Sequence, residues 1–319
     1  MEKDKNKIIE VLDLHKKYKK TTEEALKGIS FYVEEGAFFS LLGPNGAGKT
    51  TAISILTTTL SKTLGNALVC GDDIVKEAAR VRANIGVIFQ KPSLDLNLTA
   101  EENIRFHVNL YGLYGYRPSF SLMPSAYQKR VKKLAKVLGI EAEINKPVKN
   151  LSGGMKRKFE ILRSLMHSPK ILFLDEPTTG LDPLARKNLW EYLQQIRKEE
   201  NITIFLTTHY LEEAEGSDYI CIINNGEIVS KGTPQEIKRD LITKFLMVDA
   251  KNREKLINEL TIKKVKFKEE KAYVCVDLSG TTAQKVIQKI KTPLSLLDVH
   301  NPTLEEAYIE IISNNHEGN

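Results

Sequence analysis

The chain has little cysteine, little tryptophan and no long apolar run. Cys70, Cys221 and Cys275 are odd in number and far apart, with no Cys-x-x-Cys spacing. That excludes a disulfide framework and a thiolate metal centre, and a reduced setting is expected. All three lie among strand-forming apolar residues and are expected to be buried packing residues. Apolar runs such as Ile171 to Leu174 are far short of the roughly 20 residues a membrane helix needs. Met1 to Lys7 is charged and no apolar segment follows, so no leader is expected. If the protein serves a membrane, another chain must span it. Charge of one sign is scarce too: 47 Lys and Arg against 41 Asp and Glu leave +6 over 319 residues. Much of that excess lies in Lys251 to Lys271, interleaved with Glu and strand-like apolar residues. It reads as a solvated surface, and no nucleic-acid partner is expected.

What is present is an ordinary globular composition, 41% hydrophobic and 28% charged, in a chain long enough for more than one unit. Strands are expected at Ile8 to Leu14, Gly28 to Val33 and Ala37 to Leu42. The last runs into Gly43-Pro44-Asn45-Gly46-Ala47-Gly48-Lys49-Thr50, with a helix expected from Lys49 to about Leu60. A glycine-rich loop between strand and helix is the P-loop pattern in its required context. Its backbone N–H groups wrap a β-phosphate and the helix N-terminus adds a favourable field. Lys49 reaches the β- and γ-phosphates, and the Thr50 hydroxyl suits Mg²⁺. Further short strands at Ala67 to Cys70 and Ile85 to Phe89 flank a charged helix, and Ala100 to Ile140 turns helical.

Ile171 to Glu176 is an apolar strand ending in two carboxylates. Asp175 suits Mg²⁺, and Glu176, one residue beyond, suits polarisation of an attacking water. Gln90 and His209 also follow strands, at the ends where open α/β sheets bind ligands. Gln90 can contact the metal or the water, and His209 the γ-phosphate. Tyr18 is the candidate for stacking on a base. Leu151-Ser152-Gly153-Gly154-Met155 supplies a second set of free amides opening a second helix.

In this order these elements resemble the ATP-binding subunit of ABC transporters over roughly the first 240 residues. The correspondence covers an aromatic loop at Tyr18, Walker A at 43–51 (including Thr51) and a Q-loop at Gln90. It continues with the signature at Leu151 to Met155, Walker B at 171–176, a D-loop at Gly180-Leu181-Asp182 and a switch histidine at His209. The resemblance implies an α/β P-loop NTPase with a mixed, largely parallel sheet core, a helical subdomain at about 91–168 and an antiparallel β subdomain. It also implies a head-to-tail dimer over two ATP and Mg²⁺, in which Ser152, Gly153, Gly154 and Asp182 of one chain face the nucleotide held by the other. Such a dimer drives a separate permease from the cytoplasmic face of the membrane. Both halves of the composite site are intact, so a homodimer suffices. Met155-Lys156-Arg157-Lys158 and the closing Asn301 to Tyr308 resemble the drug-resistance and export subgroup.

Residues 241–319 read as β-α-β-β-α-β, a small α+β ferredoxin-like unit that accompanies or supports the dimer. Tyr114 to Gln128 lengthens the helical region by about nine residues and is rich in aromatics. It is either a loose surface excursion or a contact with the permease. Two other readings are a soluble ABC ATPase acting on ribosomes or DNA, and an importer ATPase with a C-terminal sensor. A single P-loop and the absence of sustained heptads weigh against the first, and no recognisable ligand site in 241–319 weighs against the second.

Overall fold

The computed structural model describes residues 7–19, 21–241, 245–278, 281–300 and 303–316. The charged start at 1–6 and the first two residues of the closing motif lie outside them. Two compact units are present, Met1–Lys231 and Gly232–Asn319. The division precedes the expected boundary at 240/241 because the helix Pro234–Leu241 packs on the C-terminal helix.

In the first unit, β1 (Lys7–Lys17) and β2 (Glu24–Glu34) form a long antiparallel pair. β3 (Phe38–Leu42) leads into the glycine loop and α1 (Lys49–Leu56). This helix stops short of the expected Leu60. Thr57 Oγ1 donates back to Ile53 O at 2.8 Å, Thr59 Oγ1 to Ser54 O at 2.9 Å, and Thr58 takes φ +62°. Hydroxyls competing for helix carbonyls end the helix. β4 (Leu64–Val69), β5 (Asp72–Asp73), α2 (Ala78–Asn84) and β6 (Ile85–Ile88) follow. Next come α3 (Ala100–Leu110), α4 (Ser125–Leu138) and α5 (Gly153–Leu165), then β7 (Ile171–Asp175), α6 (Pro183–Glu200) and β8 (Thr203–Thr208). The unit closes with α7 (Leu211–Glu215), β9 (Tyr219–Asn224) and β10 (Glu227–Gly232).

The central sheet runs β10-β9-β3-β8-β7-β6, with parallel pairing from β9 through β6. β9 and β10 turn through Asn225 (φ +48°) and Gly226 (φ +83°), the left-handed pair that a tight hairpin requires. A second sheet, β2-β1-β4-β5, is antiparallel. Because side chains alternate along a strand, the central sheet divides its apolar residues between two cores. Phe38, Leu172, Leu174, Ile204 and Leu206 face α3 to α6. Phe39, Leu41, Phe173 and Phe205 face α1 and the antiparallel sheet.

The segment Tyr114 to Gln128 is not loose. Tyr127 is fully buried and its hydroxyl donates to Glu101 Oε1 at 3.0 Å. Tyr114 and Phe120 pack against its ring at 5.7 and 5.9 Å. Arg105, ion-paired with Glu101 at 2.9 Å, donates to Arg117 O at 2.6 Å. Of the four aromatics, Tyr116 is the most exposed, at 50%, with its ring stacked on Phe106. The cysteines also part from expectation. Cys221 is buried and its thiol is pushed up to about 12 by burial, whereas Cys70 and Cys275 are half-buried.

The second unit opens with α8 (Pro234–Leu241), then β11 (Phe245–Asp249), α9 (Arg253–Ile262), β12 (Phe267–Glu269), β13 (Val274–Asp277), α10 (Ala283–Ile287), β14 (Leu296–His300) and α11 (Leu304–His316). Its strands lie in the order β12-β13-β11-β14, every pair antiparallel. Leu246, Val248, Val274 and Val276 bury one face against Leu256 and Leu260 of α9 and Val286 of α10.

Candidate nucleotide site

The glycine loop is shaped by its neighbours before any ligand is considered. Gly43 lies so close to Ile223 O that a Cβ would stand 2.2 Å from it. Gly48 caps α1 at φ +107°, and a Cβ there would meet Ala25 O at 2.6 Å. Gly46 has open space around it but takes φ +83°, which glycine adopts without penalty. Pro44 is half-buried, Ala47 is buried, and Asn45 lies exposed at the loop tip. The first turn of α1 carries no acidic residue, so its positive end is left for an anion.

Lys49 is 4% exposed and folds back over the loop. Its Nζ donates to Gly43 O at 2.8 Å and Pro44 O at 3.0 Å, and pairs with Glu176 Oε1 at 3.1 Å. Glu176 stands just beyond β7 at φ +44°, a conformation that costs a non-glycine residue about 1–2 kcal/mol. Its N–H donates to Thr207 O at 3.1 Å, which holds it there. Gln90 Nε2 donates to Glu176 Oε2 at 3.2 Å. His209 Nδ1 lies 3.3 Å from the same oxygen, at ion-pairing distance but out of line for a hydrogen bond. Lys49, Gln90, Glu176 and His209 thus meet at one point.

The paired carboxylates differ in character. Burial raises the Asp175 pKa, and the Glu176 charge adds to this against hydrogen bonds from Thr207 and Thr50. Burial also pushes Glu176 up, but Lys49 and His209 outweigh it and hold that carboxyl below its ordinary value. Thr207 Oγ1 donates to Asp175 Oδ1 at 2.5 Å and Thr50 Oγ1 to the same oxygen at 3.3 Å. A hydroxyl and a buried carboxylate converging beside the loop form the hard oxygen set that suits Mg²⁺. Tyr18 stands near the loop, its hydroxyl 3.2 Å from Thr51 Oγ1 and Lys16 Nζ 5.3 Å from its ring centre.

The second glycine run is placed elsewhere. Ser152 caps α5, accepting from Met155 N at 3.3 Å, and Asp182 caps α6, accepting from Ala185 N at 2.9 Å. Among the described residues, no hydrogen bond or ion pair joins Ser152, Gly153, Gly154 or Asp182 to the glycine loop. A Cβ on Gly153 or Gly154 would meet only ordinary contacts, Leu181 Cδ2 at 3.5 Å and Ala185 Cβ at 3.6 Å. The chain's own packing therefore does not require glycine at either position.

Sequence reading missed Thr207 and a buried carboxylate behind the site. Glu213 is 1% exposed and accepts from Thr178 and, at 2.6 Å, from Thr208 Oγ1. Burial raises its pKa. The one available signal was an acidic residue a helical turn after His209, which also fits an exposed α7.

A glycine loop, a buried lysine and paired carboxylates at the ends of parallel strands define a P-loop nucleotide-hydrolase site. The ABC transporter family model matches residues 26–179. A Nod factor export ATP-binding protein I from Ralstonia nicotianae is 40% identical over 231 residues, covering 72% of this chain and 68% of the relative. A linearmycin resistance ATP-binding protein from Bacillus subtilis is 32% identical over 327 residues, covering 95% and 98%. Among solved structures, a subunit of a Clostridium perfringens ABC transporter complex aligns with TM-score 0.65 at 28% identity, over 81% of this chain and 96% of that one. A dimeric ATP-binding cassette bound to ADP and phosphate in a post-hydrolysis state aligns with TM-score 0.61 at 27% identity, over 70% and 98%. The chain belongs to the ATP-binding subunits of ABC transporters. It binds ATP and hydrolyses it to drive transport.

Proposed function

We propose that two copies of this chain close head to tail over two ATP molecules and drive a separate permease in the export direction. The observation that carries this reading is the start of α5. Ser152 and two glycines that internal packing does not demand open a helix with no acidic residue in its first turn. Free amides and a helix dipole suit a phosphate, and the partner's nucleotide supplies it. The names of relatives that export Nod factors or confer linearmycin resistance support the direction.

In this reading Lys49 leaves Glu176 when the β- and γ-phosphates arrive, since the triphosphate is the stronger anion. Glu176, freed and ionised, orients and polarises the attacking water, with Gln90 beside it. His209 donates to the γ-phosphate, and Tyr18 stacks on the base. Thr50 and Asp175 would hold Mg²⁺ with Gln90 at its edge; bound there, the metal neutralises phosphate charge. Ser152 and the amides of Gly153 and Gly154 close from the other chain, with Asp182 at the seam. Glu176→Gln removes the water-polarising carboxylate while sparing nucleotide contacts. Light scattering of that variant with ATP is expected to show a stable dimer; a monomer at saturating ATP would sink the proposal.

Among the described residues no helix is long and apolar enough to cross a membrane; in this reading a separate permease supplies the spans and the chain docks on its cytoplasmic face. Phe106, Leu110, Leu113 and Tyr116 form an exposed apolar strip, with Leu110 84% exposed. A strip of this kind fits a protein partner, and here it faces the permease. Leu110→Ser with Tyr116→Ser is expected to cut recovery of a membrane protein from detergent extracts at unchanged basal ATPase. Full recovery would move the docking surface elsewhere, and recovery of ribosomes by the wild-type chain would overturn the transport reading.

A further inference from the structure

Helix α5 begins beside Ser152 and soon buries Arg157, which is 5% exposed. A guanidinium carries five N–H donors in a rigid fork, and here the fork spans two other segments. Nε donates to Pro177 O at 2.8 Å, Nη1 to Phe89 O at 2.8 Å and Nη2 to Gln90 O at 3.1 Å. Nη1 also bonds Glu160 Oε2 at 2.8 Å, on the same helix, which supplies a buried counter-charge. Glu160 in turn accepts from Ser93 N at 2.7 Å, just past Gln90.

Burying a cation is unfavourable unless its donors are matched, and an apolar side chain would fill the same space without that cost. What arginine adds is directional attachment to particular carbonyls. Those carbonyls belong to Gln90 itself and to Pro177, the residue after Glu176. Both segments carry a side chain that meets over Lys49, while Ser152 caps the start of α5, little more than a turn before Arg157. We infer that Arg157 is a positioning residue that couples the two nucleotide sites of the dimer. It ties the Ser152 helix, which contacts the partner's nucleotide, to the Gln90 and Glu176 segments that serve the chain's own. The inference rests on the two-chain reading above. Movement of α5 as Ser152 meets a phosphate is then passed through the fork to the Glu176 segment, so filling one site sets the geometry of the other.

The test compares ATP hydrolysis by the purified full chain with that of Arg157→Lys and Arg163→Lys. Lysine keeps the charge opposite Glu160, but one ammonium cannot span carbonyls on two segments in fork geometry. Arg163 lies on the same helix and its hydrogen bonds reach Ser93, so its replacement probes helix attachment without touching Gln90 or Pro177. Arg157→Lys is expected to bind a fluorescent ATP analogue within about twofold of wild type, while kcat falls about ten- to a hundredfold from misplaced groups. Its Hill coefficient for ATP is expected to fall to one, with that of Arg163→Lys unchanged. Wild-type cooperativity and kcat in Arg157→Lys would overturn the inference. So would an equal loss in Arg163→Lys, or loss of nucleotide binding by Arg157→Lys, since either makes Arg157 a general support of the fold. A wild-type chain without cooperativity, whose Glu176→Gln form stays monomeric, fails the two-chain reading itself; cooperativity that survives in Arg157→Lys fails only this inference.

Discussion

Single residues show how far type and spacing reach. Lys49, Asp175 and Glu176 are legible because their chemistry depends on close neighbours: a glycine loop before the lysine, an apolar strand before the acids. That Gln90 and His209 meet on one oxygen of Glu176 is not legible, because the three come from separate strands whose adjacency is set by sheet order. His107 makes the same point. Nothing about it in the chain is unusual, yet its Nε2 is buried with no hydrogen-bond partner among the described residues, and burial, with the charges of Arg163 and His167, pushes its pKa down from 6.5 to about 3. The unfolded chain takes up this proton below pH 6.5 and the folded one does not until about 3. The contribution is therefore fully present above the higher value and is lost as pH falls through that window. His107→Gln is expected to flatten the fall of Tm between those pH values; a slope equal to wild type would reject the assignment.

Elements were readable where local chemistry closes on itself. Glu101 and Glu102 stand in the first turn of α3, where negative charge is favoured, and the structure completes a capping box. Glu102 N donates to Thr99 Oγ1 at 3.2 Å and Thr99 N to Glu102 Oε2 at 2.8 Å. Thr99→Ala is expected to lower stability by about 1 kcal/mol in denaturant unfolding, and an unmoved midpoint would contradict it. The end of α1 is not legible because apolar periodicity carries through Leu60 while the hydroxyls of Thr57 and Thr59 bend back onto the helix. For the segment Tyr114 to Gln128 the structure overturns the loose excursion, one of its two readings, for the opposite reason. Its aromatics look like surface excess until the buried Glu101–Arg105 pair supplies a partner for the Tyr127 hydroxyl, and a buried hydroxyl without one is costly.

At the scale of the molecule, each unit buries its own core, and every candidate nucleotide-site residue lies in the first. Nucleotide binding stabilises only what it touches. At a hundred times its Kd, ATP is expected to add about 2.7 kcal/mol to unfolding of the first unit. Calorimetry of the full chain with and without ATP measures this, and an unshifted transition would count against the site. The amino-acid sequence by itself determined the family, the phosphate loop and the acidic strand. These rest on contacts within a few residues of one another. Only the tertiary structure decided that Gly153 and Gly154 are free of internal demand, and that Arg157 grips Gln90 and Pro177. Such contacts join residues far apart in the chain, brought together by strand order and helix packing, and no local spacing records them.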